Sequence, residues 1–306
     1  MTHLRIGTRG SELALAQTRQ AIEALKAVQP GLECEICIIS TAGDQRTDIP
    51  LHQVNAATGT GDKGVFIATI EEELAAGKID CAVHSLKDMP GVLDPRFELA
   101  AVLPREEIQD VLVCKADADM DHPVIATGSV RRSRLVHTYW EGKASTLPVR
   151  GNVATRLRKM VENPEVSATL LARAGLNRLG YGRDSFEVNG VQLRVLGLPV
   201  DQFPPALGQG AIALECRKKD TATAQLLSRV NHIPTFRCIT CERAFLHLLQ
   251  ADCSVPVGGY ASINADDSLT LHVVLYSQDG SQRAEVTETG SCPDALARLV
   301  LQRLLS

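Results

Sequence analysis

Between Arg131 and Lys159 the chain carries eight basic side chains (Arg131, Arg132, Arg134, Lys143, Arg150, Arg156, Arg158 and Lys159) against one acid, Glu141. The whole chain is acidic, with 32 Lys and Arg against 36 Asp and Glu and a formal net charge of -4, so this stretch is a local positive island. Ser129 and Asn152 are good N-cap residues that follow the apolar runs VIAT and TLPV. That arrangement clusters Arg131, Arg132, Arg150 and Arg156 around two helix N-termini. Unpaired backbone N–H groups and the helix dipole favour anions there, and guanidinium groups add bidentate recognition of carboxylate or phosphate. A solvated charged face is the bland alternative; the placement at two helix starts favours an anion site.

A second constellation is the run Asp80-Cys-Ala-Val-His-Ser-Leu-Lys-Asp-Met-Pro90. An apolar strand ends in polar residues, and Pro90 pushes Met89 into extended geometry, which holds Asp88 at the carboxyl end of the strand. Open α/β sheets bind ligands at those ends. Lys87 beside Asp88 favours an ionised carboxylate and offers a second charge, whereas in isolation the two would be a surface ion pair of little worth. His84 is read as a satisfied strand-end histidine rather than a general base. The glycine-rich GTGDKGVF at 59–66 lacks the Walker spacing and the full dinucleotide fingerprint, and Leu-Gly-Gln-Gly at 207–210 is either a tight backbone approach or only a turn.

The nine cysteines include two CxxC pairs, Cys34/Cys37 and Cys238/Cys241. The first pair falls in a β-rich stretch, where an offset of three puts the side chains on opposite faces, and the second on a helix, where they share one. Some 200 residues separate the pairs, unlike a compact zinc ribbon, so buried thiols are expected and no metal site. Cys253, on a loop between a helix and a strand, is the thiol least suited to core filling and is a candidate reactive group.

The elements that must position these groups follow from periodicity. LRIGT reads as a strand, Ser11 to Val28 as a helix ended by Pro30-Gly31, CEICIIS as a strand, Val65 to Ala76 as a helix, and CAVHS as a buried strand. VLVC, VIAT and TLPV follow as strands, with helices after Ser129 and from Val153, where Val153, Leu157, Met160 and Val161 form an apolar stripe. This alternation implies an α/β fold with mostly parallel sheets. The last third differs: a helix over Pro234 to Leu249, three strands in VPVGGYASI, LTLHVVLYS and QRAEVTETG, and a closing helix over Pro293 to Leu305, a small α+β unit. Leu103-Pro104 and Gly197-Leu198-Pro199 are candidate hinges. At 306 residues, about two domains are expected. The net charge argues against a nucleic-acid binder, and no apolar run approaches the roughly 18 residues of a membrane span. The start MTHLRIGTRG has no apolar core of an export signal, which points to a cytoplasmic protein with reduced thiols.

Ten segments, IGTRGSELALAQ, TAGDQRTD, GDKGVF, AVHSLKDMP, TGSVRRS, RGNVATRL, LARAGLNRLG, ALGQGAIALECR, CERAFL and DCSVPVGGY, resemble the porphobilinogen deaminase (hydroxymethylbilane synthase) family, in family order and over essentially the whole length. The resemblance implies a transferase that joins four porphobilinogen molecules head to tail, releases ammonia at each step, and liberates a linear tetrapyrrole from a dipyrromethane cofactor held through a thioether to Cys253. It implies that Lys87, Ser129, Arg131 and Arg132 bind the carboxylates of that cofactor and that Arg9, Ser11, Arg150, Arg156 and Arg178 bind those of the substrate. Asp88 would be the catalytic group, holding pyrrole N–H groups and stabilising the cation left when ammonia departs. Lys63 and Phe66 fall in a stretch that looks like the family's lid loop.

The implied fold is α/β: two type II periplasmic-binding-protein-like domains with mixed sheets, residues 1–103 plus 199–218 and residues 104–198, and a small α+β domain over 222–306. Partners would be porphobilinogen alone, with no nucleic acid or membrane, in a monomer. The chain departs from the family pattern at Ala251-Asp252, where Gly-Gly is usual, and in HQVNAATGTGD ahead of Lys63. A non-catalytic binder of a small polycarboxylate on the same fold is the alternative, since fold does not fix function.

Overall fold

The computed structural model describes residues 2–41, 67–250 and 255–306. Strand β1 (His3–Thr8) leads into helix α1 (Glu12–Val28), whose cap Ser11 accepts a hydrogen bond from the Ala14 amide at 3.3 Å. Strand β2 (Glu33–Ile38), helix α2 (Ala68–Ala75), strand β3 (Cys81–Ser85) and strand β4 (Phe97–Val102) follow. With β11 (Ile212–Arg217) the four strands form one sheet in the order β2-β1-β3-β11-β4. Leu4, Ile6, Val83, Leu214 and Leu25 fill its core, packed by α1 on one side and by α6 (Thr221–Ser228).

The chain then crosses into a second sheet at β5 (Asp110–Lys115) and continues through β6 (Val124–Ala126), α3 (Val130–Tyr139), β7 (Ser145–Leu147), α4 (Val153–Glu162), β8 (Ala168–Ala172), α5 (Arg173–Arg178), β9 (Ser185–Val188) and β10 (Val191–Gly197). The strand order is β7-β6-β8-β5-β10-β9. Residues 198–211 return the chain to the first sheet. Helix α7 (Ile233–Leu249), the meander β12 (Val257–Ile263), β13 (Leu269–Tyr276) and β14 (Arg283–Gly290), and helix α8 (Pro293–Leu304) make a third unit with its own core around Phe245, Leu271 and Val300.

The alternation of strands and helices in the sequence predicts mostly parallel sheets; both large sheets are mixed instead. β1 pairs in parallel with β2 and β3, and β6 with β7 and β8, but β3–β11, β11–β4, β5–β8, β5–β10 and β10–β9 are antiparallel. For β9–β10 the reason is the two-residue Asn189-Gly190 hairpin turn; for the others it lies in the two crossings. β5 and β11 each enter their sheet from the other one, so neither is bound by the right-handed β-helix-β connection that enforces parallel pairing within a sheet. The helix expected over Val65 to Ala76 is regular from Ala68 to Ala75, and Val65 and Phe66 lie outside the described residues. No described helix is long and apolar enough to cross a membrane.

The cysteine pairs separate as their elements dictate. Cys34 packs on the core beneath α1 and Cys37 on a different cluster with Ile39, the two faces of β2. Cys238 and Cys241 share the α7 face buried in the third core, where burial, aided by Glu242, pushes the Cys241 thiol up to about 12. Among the described residues no three His, Cys, Asp or Glu side chains are placed to hold a metal ion.

Candidate active site

A cleft of about 820 Å³ opens where the carboxyl ends of β1, β3 and β7 meet. Arg9 and Ser11 reach it from the β1–α1 turn, Ser85 and Asp88 from the end of β3, and Arg150, Gly151 and Asn152 from the start of α4. Arg158 and Lys159, counted in the basic island but not assigned a role from sequence, line it as well. Asn152 caps α4 by accepting from the Thr155 amide at 2.8 Å, so the first turn of that helix faces the cleft with its dipole aligned for an anion. Asp88 closes a single 3-10 turn, Leu86–Asp88, and its carboxylate is exposed. Beside it, Ser85 and Gln17 exchange hydrogen bonds at 2.9 and 3.0 Å, which fixes the strand end against α1. His84 is buried and bonded at 3.0 Å to fully buried Glu215 on the neighbouring strand.

Behind Asp88 lies a buried charge cluster around Asp110, the first residue of β5. Arg132 meets its carboxylate in a fork, with Nη2 at 2.7 Å from Oδ1 and Nε at 3.2 Å from Oδ2, and donates its other amino group to the Leu170 carbonyl. Arg131 donates to Oδ2 at 2.7 Å and to the Pro204 carbonyl at 2.6 Å. Gln209 completes the set: its Nε2 donates to Asp110 Oδ1 and to the Ile108 carbonyl, both at 2.8 Å, while its Oε1 accepts from Lys87 Nζ at 2.9 Å. Burial raises the Asp110 pKa, but Arg131 and Arg132 outweigh it and hold the carboxyl well below the usual range. Lys87, half-buried, is pulled down to about 8 by burial and by Arg132, against the pull of Asp88 and Asp110.

Two glycines make this approach possible. Gly208 sits at φ +81°, and a Cβ there would lie 2.4 Å from Leu86 Cδ2 and 3.1 Å from the Lys87 amide; Gly210, at φ +88°, would strike the Glu106 carbonyl at 2.4 Å. The Leu-Gly-Gln-Gly run is therefore a tight backbone approach, and its glutamine, unremarked in the sequence, is what joins Lys87 to Asp110.

The other candidates divide plainly. Ser129 caps α3, accepting from the Arg132 amide at 3.4 Å. Arg156 donates to the Gly151 carbonyl at 2.8 Å; burial, then Arg132 and Arg150, bring it down to about 10, while Asp88 pulls the other way. Arg178 donates to the Gly210 carbonyl at 2.7 Å and to Gln20 at 3.3 Å. Cys253, Lys63 and Phe66 lie outside the described residues.

Arg9, Ser11, Asp88 and Arg150 thus line one cleft, while Lys87, Arg131 and Arg132 meet behind it. Asp110 was missed. Its signal was an acid opening the otherwise apolar strand run DVLVC in a chain with two adjacent arginines to neutralise.

Residues 4–225 match the family model described as porphobilinogen deaminase, dipyromethane cofactor binding domain, and residues 236–304 match the porphobilinogen deaminase C-terminal domain. The chain is 40% identical over 302 residues to a porphobilinogen deaminase of Geobacillus kaustophilus, covering 97% of this chain and 92% of that one. It is 39% identical over 305 residues to that of Shouchella clausii, with 98% and 93% covered. The chloroplastic porphobilinogen deaminase of Oryza sativa is 39% identical over 296 residues, with 94% and 78% covered.

Proposed function

The chain belongs to the porphobilinogen deaminase family, and on that premise we propose how its residues divide the work. The activity is that of a hydroxymethylbilane synthase: a transferase that condenses four porphobilinogen molecules head to tail, with loss of ammonia, into a linear tetrapyrrole. Its cofactor is dipyrromethane, which when bound would supply the free pyrrole position that the first incoming unit joins, each later unit joining the pyrrole before it.

The residues fit such a group. Each pyrrole carries an acetate and a propionate, and the cleft presents Arg9, Arg150, Arg158, Lys159 and a helix N-terminus to carboxylates, with a single acid, Asp88, among its described lining residues. That lone carboxylate in a basic cleft is the observation that carries the reading, because a mere carboxylate binder has no use for a repelling charge there. Asp88 accepts hydrogen bonds from pyrrole N–H groups, stabilises the cation formed as ammonia leaves, and takes up the proton released when the new bond forms. Lys87, Ser129, Arg131 and Arg132 hold cofactor carboxylates; Arg9, Ser11, Arg150, Arg156 and Arg178 hold those of the substrate and growing chain. Cys253 carries the cofactor through its thioether, and Lys63 and Phe66 belong to the lid.

We further divide the chain into domains at 1–103 plus 199–218, 104–198 and 222–306, a division supported by a separate core for each sheet. The protein is read as a cytoplasmic monomer with porphobilinogen as its small-molecule substrate.

Asp88→Asn tests the assignment. The substitution keeps the volume and removes the charge, and electrostatic stabilisation of this kind contributes about 10²–10³ in rate per group. The variant should fold normally and form tetrapyrrole at least 100-fold more slowly; retention of a third of the wild-type turnover would count against it.

A further inference from the structure

A second cavity, of about 510 Å³, lies where helices α7 and α8 meet the turn after Pro90. Its size falls in the range of small-molecule sites, roughly 300–1,000 Å³. Leu99, Phe236 and Leu248 give it an apolar floor, and Arg243 and Arg298 stand at its edge against one carboxylate, Asp294. Arg298 is exposed and has no hydrogen-bond or ion-pair partner among the described residues. Arg243 spends one amino group on the carbonyls of Pro90 (3.0 Å) and Gly91 (3.3 Å) and has no other hydrogen-bond or ion-pair partner among the described residues.

The turn it holds is tightly seated. A Cβ at Gly91 would lie 3.0 Å from the Leu246 carbonyl carbon and 3.1 Å from the His247 amide nitrogen, so Gly91 rests on the α7 backbone while Arg243 grips its carbonyl from the side. Asp88 is two residues upstream of Pro90. An anion that pairs with the remaining N–H groups of Arg243 pulls on the same guanidinium that fixes this turn.

We propose that this cavity is a second binding site, for a small aromatic carboxylate, whose occupancy slows catalysis by loosening the Pro90–Gly91 turn that supports Asp88. The apolar floor selects the ring, and the two guanidiniums select the carboxylate. The effect on rate rests on the function proposed above; the binding does not.

The test uses the full-length, cofactor-bearing protein and 1-naphthoate as probe, with binding followed by calorimetry and tetrapyrrole formation followed in parallel. Wild type should bind the probe saturably, and kcat should fall as the site fills, with KM for porphobilinogen unchanged. Arg298→Glu, an exposed change, should keep the basal rate, weaken probe binding roughly tenfold or more, and abolish the inhibition. Arg158→Glu, in the main cleft, should leave probe affinity as it is. The proposal is overturned by non-saturable binding, by binding that Arg158→Glu removes and Arg298→Glu does not, or by saturable binding without effect on kcat. Failure of the proposed function would look different: no tetrapyrrole would form even without the probe.

Discussion

At the scale of single residues, the site is governed by one buried carboxylate. Asp110 pairs with both Arg131 and Arg132 and, through Gln209, sets the position of Lys87. Removing either arginine leaves Asp110 paired with the other but deletes charge-assisted hydrogen bonds worth about 1.5–3 kcal/mol, so Arg131→Leu and Arg132→Leu should stay folded with reduced stability and weaker anion binding. Gln209→Leu deletes one donor to Asp110 and the acceptor of Lys87, and should lower the unfolding free energy by about 1–3 kcal/mol in a denaturant titration. Lys87 faces Arg131 and Arg132 on α3, Asp110 on β5 and Asp88 on its own turn. With its pKa depressed to about 8 in the cofactor-free protein, its charge is lost as pH rises through that value, so loading of the anionic cofactor onto apoprotein should slow above pH 8. Lys87→Arg, charged throughout, should remove that limb; a wild-type loading rate that stays flat up to about pH 9.5 would contradict the assignment. Stability runs the other way, because between about 8 and the ordinary lysine value of roughly 10.4 the unfolded chain holds the proton more tightly, so this group's contribution improves as pH rises. Arginines at helix starts and Asp88 before a proline were legible in sequence because their signals are local. Asp110 and Gln209 were not, because what defines them is contact with residues some 20 to 120 positions away.

At the scale of elements, caps and periodicity placed most helices closely: Ser129 and Asn152 cap as expected, Ser11 caps a helix expected to include it, and Leu157 and Met160 of the expected stripe are buried. Strand direction was not legible, since a strand's apolar pattern says nothing about which way its neighbour runs. Nor was the role of α7 beyond its amphipathic core face. Its Glu242, fully buried, takes Arg105 at 2.6 and 3.1 Å from the first crossing, the Gly208 amide at 2.5 Å from the second, and the Ala261 amide at 2.8 Å from β12. One carboxylate thus ties both inter-sheet connections to the third unit. Glu242→Gln keeps the shape but leaves Arg105 without its counter-ion, and should lower the unfolding free energy by about 3–5 kcal/mol. An unfolding curve that overlays the wild type would show that the tie contributes nothing.

At the scale of the molecule, an acidic chain gathers Arg150, Arg158 and Lys159 at one side of a cleft to which the first sheet brings Arg9 and Asp88. A chain growing within that cleft gains two carboxylates with each pyrrole, so arginines at different depths should matter at different stages. Arg150→Leu and Arg156→Leu should stay folded and accumulate partial chains, each contact being worth roughly 1.5–3 kcal/mol; the full ladder in wild-type proportions would contradict this. The central claim, that one cysteine carries a dipyrromethane on which four units are joined, is tested most directly by the intact mass of the purified protein. The native protein should exceed its sequence mass by one dipyrromethane and gain discrete porphobilinogen steps on mixing with substrate, and Cys253→Ser should lose the increment and all activity. A native mass equal to the bare chain, in protein that forms no tetrapyrrole, would contradict the account.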